Sequence, residues 1–115
     1  MKLPEGLISY GEAPEIALKR TILETTMIEI EPLSLLGIYS SMTSNGENTN
    51  HSVTIVFICL ILDFGKSSIR SNCVWLDRDK QTKIDLNEED DRILRDYVLW
   101  RVEKSTYWTT KDQIN

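Results

Sequence analysis

The sequence predicts a small layered domain of the α/β or α+β class. Three observations carry this. Two stretches repeat apolar residues at helical spacing, one near each end of the chain. Between them lies a block rich in β-branched and aromatic residues, broken by turn formers. The length, 115 residues, is enough for one domain and too short for two.

Residues 1–12 are extended and turn-like, punctuated by Pro4, Gly6 and Gly11. Pro14 suits the first turn of a helix, where its missing N–H costs nothing, and the helix runs to about Thr26. It ends without the usual glycine, in the β-favouring stretch Met27-Ile28-Glu29-Ile30, which Pro32 closes. LLGIYSS (35–41) reads as a strand and TSNGENTN (43–50) as a polar loop. HSVTIVFICLIL (51–62) is apolar on both faces and predicts a central strand. A turn region follows at 63–72, then a short strand, CVWLD (73–77). Asn87 is a good N-cap, and Glu88, Glu89 and Asp90 fall in the first turn, where the helix dipole favours negative charge. Ile93, Tyr97 and Trp100 recur at helical spacing, as do Leu94 and Val98, so 88–104 predict an amphipathic closing helix.

Composition excludes several classes of function. A net charge of −5 argues against a general nucleic-acid binder, because neutralising phosphates needs a basic surface. The two cysteines, Cys59 and Cys73, make no disulfide framework, and Cys59 sits in an apolar run as a buried thiol. With a single histidine there is no zinc constellation. The apolar run 53–62 is about half of what a membrane helix needs, and no signal peptide opens the chain, so a cytoplasmic location with no membrane partner is expected.

The stretch GLISYGEAPEIALKRTILETTMI, from Gly6 to Ile28, resembles the Nudix box. That signature is glycine, five residues, glutamate, seven residues, then Arg-Glu-U-x-Glu-Glu-x-Gly-U, with U aliphatic. Gly6, Glu12, Arg20, Ile22, Glu24 and Ile28 occupy matching places. The flanks are similar too: Leu3-Pro4 ahead of the box, Gly11-Glu12 before its helix, then GIYSS, HSVTIVF and VWLD for the strands that follow. The resemblance implies a Nudix-like mixed β-sheet flanked by helices. It implies Mg²⁺- or Mn²⁺-dependent hydrolysis of nucleoside-diphosphate-linked compounds of the ADP-ribose type, with a small-molecule partner. By the same resemblance Glu24, Arg20 and Glu12 are the catalytic candidates, and Glu24 and the backbone of Gly6 the metal candidates. Family domains begin with strands ahead of the box, so residues 1–115 are expected to form a single, incomplete domain, truncated at its N-terminus. Its open sheet edge makes a homodimer a candidate assembly.

Four positions depart from the signature. Thr21 and Thr25 stand where it has glutamates, Met27 where it has the glycine that ends the helix, and Glu5 where a second glycine usually precedes the box. At about 100° per residue, positions 21, 24 and 25 share roughly a 100° arc of one helix face. Carboxylates there repel one another until divalent cations arrive, because hard cations want anionic oxygens. A threonine hydroxyl is neutral, so the single carboxylate left on that arc predicts weak metal binding. Asp63, Asp77 and Asp79 are the nearby acids that could help from outside the box.

Each candidate has a plainer reading. Glu24 and Arg20 fit an exposed i,i+4 ion pair, Glu12 a helix-start carboxylate, and Gly6 a turn. GKSS (65–68) lacks the first glycine of a Walker A loop, which would fall at Leu60. His51 reads as a strand-end residue, and Trp100, Tyr107 and Trp108 as core-closing aromatics. Three functional readings follow: a hydrolase with weak or lost activity, a non-catalytic nucleotide- or protein-binding module, and a non-functional fragment.

Overall fold

The computed structural model describes residues 2–63 and 86–109. In chain order these form α1 (Pro14–Thr26), β1 (Glu29–Asn45), β2 (Asn48–Asp63), α2 (Glu88–Glu103) and β3 (Tyr107–Trp108). The sheet order is β2-β1-β3, with β1 antiparallel to β2 and parallel to β3. The expected mixed sheet with flanking helices is therefore present, in a small α+β fold. The strand expected at 73–77, the GKSS segment, Asp77 and Asp79 lie outside the described residues. Among the described residues no helix is long and apolar enough to cross a membrane.

α1 starts at Pro14, as expected, and stops at Met27, whose φ of 63° sends the chain into the left-handed region. Its N–H closes on Leu23 O, so a methionine performs the stop that glycine performs at lower cost. The chain then turns directly into β1. The Thr26 hydroxyl steers that turn, donating to Ile22 O at 2.6 Å and accepting from Ile28 N at 3.2 Å.

Two expectations for the strands are corrected. Pro32 does not end a strand; β1 runs through it, with register shifts between Pro32 and Ser34 and between Leu35 and Gly37. Proline takes no N–H from the ladder where the register is already broken. The segment 43–50 is not a loop. Strand pairing continues to Asn45↔Asn48, and only Gly46-Glu47 turn, with Gly46 at φ 65°. A two-residue hairpin loop requires that sign of φ, and the backbone ladder forms whatever the polarity of the side chains beside it. Among the described residues β1 lies between β2 and β3. The shifts in register explain why β2 looked apolar on both faces. Ile61 and Cys59 pack with Ile22, Ile28 and Ile30 below α1, whereas Val56 and Ile58 pack with Leu36, Tyr39, Ile93 and Tyr107 beside α2. The inward parity changes between positions 59 and 58, so consecutive residues are apolar.

α2 is capped as expected, with Asn87 Oδ1 accepting from Asp90 N at 2.8 Å. Of the three aromatics, Tyr107 is buried and Trp100 packs against the α2 cluster, but Trp108 is 42% exposed, so it does not close the core. Gly37 lets β3 approach: a Cβ there would lie 2.5 Å from Tyr107 O. Cys59 is half-buried, and burial pushes its thiol pKa up. His51 lies within β2 rather than before it, exposed, with Nε2 2.6 Å from Ser40 Oγ across the hairpin.

Candidate functional site

Residues 2–12 lead into α1 as an irregular segment that closes in a turn. Glu12 N donates to Ser9 O at 3.0 Å, Ser9 N donates to Glu12 Oε1 at 3.1 Å, and Gly11 supplies φ 80°. This turn aims the Glu12 carboxylate at Arg20, eight residues on. The guanidinium grips it with two bonds of 2.9 Å, from Nε to Oε2 and from Nη2 to Oε1. Nη2 also donates to Leu7 O at 3.2 Å, and Nη1 stands 3.5 Å from Glu24 Oε2. Arg20 is thus a hub joining Glu12, Glu24 and the N-terminal segment. Three of the four candidates meet there. The fourth, Gly6, lies against the same helix, so close to Thr21 that a Cβ on it would overlap the threonine side chain.

The paired charges set the electrostatics. The Arg20 guanidinium, helped by the Ser9 N–H, holds the Glu12 carboxyl down at about 2. Glu12 in turn raises Arg20 above its already high value. The sign for stability follows. A carboxylate with a depressed pKa contributes in full above its unfolded value of about 4.3, and that contribution is lost as the pH falls toward 2. Glu12→Gln is therefore expected to melt lower than the parent at pH 7, with the gap narrowing steadily between pH 5 and 2. A gap independent of pH over that range would show that the charge of Glu12 is not what stabilises the turn. The measurement is thermal melting by circular dichroism in a pH series.

The helix face where the signature has three carboxylates is differently equipped. Glu24 is exposed (63% for its side chain) and shares Arg20. Thr25 Oγ1 donates to Thr21 O at 2.8 Å, the local back-bond usual for a helical threonine. Glu12 is committed to Arg20. Among the described residues no group of three or more His, Cys, Asp or Glu side chains is placed to hold a metal ion. A single exposed carboxylate beside a guanidinium is a poor donor set for Mg²⁺ or Mn²⁺, so these residues do not fit a tightly held divalent ion.

A largely apolar cavity of about 1620 Å³ opens between the N-terminal segment, the two helices and the sheet. Leu3, Gly6, Ala17, Ile22, Tyr39 and Ile93 belong to its wall. Glu12, Arg20 and Glu24 do not line it, so the ion-pair hub and the cavity are separate features.

Sequence reasoning missed a second polar cluster, buried between β1 and α2. Tyr39 OH donates to Asp96 Oδ2 at 2.6 Å, Arg92 Nε stands 4.0 Å from that oxygen, and Arg92 Nη2 donates to Trp108 O at 3.3 Å. Asp96 is 5% exposed. A signal existed: Asp96 falls three residues after Ile93, on the face that the apolar spacing marks as buried.

No family model matches the chain. It is 30% identical over 101 residues to a protein of Methanocaldococcus jannaschii named ADP-ribose pyrophosphatase. The aligned stretch takes in 86% of this chain and 57% of that protein, so the chain spans little more than half the length of this relative.

Proposed function

We propose that this chain is a Nudix-type domain, related to hydrolases of nucleoside-diphosphate-linked compounds such as ADP-ribose, that keeps the ion-pair scaffold of the box without its tight metal site. The likeness to a protein named ADP-ribose pyrophosphatase supports the first half. The observation that carries the second is the state of the helix face: Thr21 against Gly6, Thr25 bonded back to the helix, and Glu24 beside Arg20.

What these residues do follows from their geometry. Glu12 and Arg20 fix the turn before α1, and the Arg20–Leu7 bond fixes the segment that carries Gly6. Glu24 can contribute one carboxylate oxygen to a ligand only in competition with Arg20. In an intact site a divalent ion would supply a Lewis acid and an activated water. With that ion poorly held, binding outlasts hydrolysis, and the likeness to a protein named ADP-ribose pyrophosphatase supports a nucleotide as what is bound. The edge of β2, unpaired among the described residues, is where further strands or a second copy would complete the sheet.

The test is a melting series in millimolar Mg²⁺ or Mn²⁺, with and without ADP-ribose, beside an assay of AMP release with and without EDTA. Metal is expected to move the midpoint little, since stabilisation scales with the logarithm of ligand over Kd. Turnover above the metal-free control is not expected. A large metal shift that Glu24→Gln abolishes would overturn the proposal and restore an active hydrolase.

A further inference from the structure

α1 and α2 pack on different stretches of β1, and residues 2–12 bridge them. We infer that this segment is a strap latched over the apolar cavity, and that Asp90 is the latch.

The first anchor is a single long-range bond. Leu3 N donates to Asp90 Oδ2 at 3.0 Å, between residues 87 positions apart. Asp90 is well placed to hold it. The residue is 9% exposed, and Asn87 Nδ2 donates to the same carboxylate oxygen at 3.2 Å, steadying it. The side chain of Leu3 follows its backbone inward and packs against the cluster of Leu36, Tyr39, Ile93 and Tyr107. The second anchor is on α1, where Arg20 holds Leu7 O and Glu12, and Gly6 lies against Thr21. Between the anchors little else among the described residues holds the strap. Leu7 is 89% exposed, and the Lys2–Glu5 ion pair is on the surface and within the strap itself. Surface pairs of that kind contribute little.

Residues 2–8 form one wall of the cavity, facing Ala17, Ile22, Leu36 and Ile93. Releasing Leu3 from Asp90 therefore opens the cavity from the α2 side while the Arg20 anchor keeps the strap attached to α1. This is a local opening, which needs no unfolding of the sheet. Asp90 also sits in the first turn of α2, where its charge favours the helix, so an experiment must separate the two effects.

The separation uses two variants. Asp90→Ala removes both the charge and the acceptor; Asp90→Asn removes the charge and keeps an acceptor oxygen. Amide hydrogen exchange on the full chain is expected to show Leu3 exchanging roughly tenfold faster in Asp90→Ala, the loss appropriate to one charge-assisted bond. Ser9, whose N–H is held by Glu12, should be unchanged. Asp90→Asn should restore most of the protection. Anilinonaphthalene sulfonate, an apolar dye, should bind Asp90→Ala more strongly than either the parent or Asp90→Asn. Three results would each overturn the inference: Leu3 exchanging at the parental rate in Asp90→Ala, Asn behaving like Ala, or α2 amides accelerating by the same factor as Leu3. The last would make Asp90 a helix-stabilising residue and nothing more.

Discussion

Thr21→Glu combined with Thr25→Glu is expected to give this protein a divalent-metal response well above that of the parent. With Glu24 the two substitutions return three carboxylates to one face of α1. Without metal they should destabilise slightly, because like charges one turn apart repel by a few tenths of a kcal/mol. In millimolar Mn²⁺ the order should reverse. A site filled a hundredfold above its Kd adds about 2.7 kcal/mol, equivalent to a rise of several degrees in a domain of this size. The structure adds one condition. Thr21 lies against Gly6, so a glutamate at 21 must find room past the N-terminal segment. Met27→Gly belongs in the same series as a control for the backbone alone. It relieves a left-handed φ of 63° at an exposed position and should stabilise by about 1 kcal/mol with or without metal. If the double glutamate variant melts identically with and without Mn²⁺, the carboxylates do not make a metal site on this helix, and the reading of α1 as an altered Nudix box fails.

Asp96→Ala is expected to be the most damaging single substitution away from that helix. It strips the acceptor from a fully buried tyrosine hydroxyl and one charge partner from Arg92, where β1 meets α2. Breaking one side of a buried charged cluster costs about 3–5 kcal/mol, a large share of the stability of a small domain. Asp96→Asn should cost markedly less, because its amide oxygen still accepts from Tyr39. Burial and then the Asp96 bond push the Tyr39 hydroxyl far above the usual tyrosine range, so it stays a donor throughout the accessible pH range. Urea unfolding of the two variants and of Tyr39→Phe supplies the check. Equal losses for Ala and Asn would mean that the acceptor is not what matters, and that the cluster is held by packing.

Much of the local structure was legible because it depends on near neighbours. Pro14 at a helix start and Asn87 as an N-cap are decided within a few residues, and both helices lie where the spacing placed them. The Arg20–Glu24 pair was equally readable, since residues one turn apart meet on any helix. The strands were less so. Whether Pro32 ends a strand depends on a register shift against Cys59, and the partner is nearly thirty residues away in the chain. That β1 has a neighbour on each side depends on β3, a two-residue pairing that Gly37 admits.

Local preferences along the chain fix the two helices, the β character of the middle and the set of side chains on the helix face: one carboxylate and two threonines where the signature has three carboxylates. These follow from periodicity, capping and spacing, which act over a turn or two. Which groups those side chains meet is set by packing across the fold. That packing joins Arg20 to Glu12 in two bonds, brings Gly6 against Thr21, and places Asp90 beside Leu3 and Asp96 beside Tyr39. Such contacts join residues eight to eighty-seven positions apart. No local preference encodes them. They exist because burying two apolar clusters fixes the chain in one arrangement, and the polar groups carried with it must then find partners where they land.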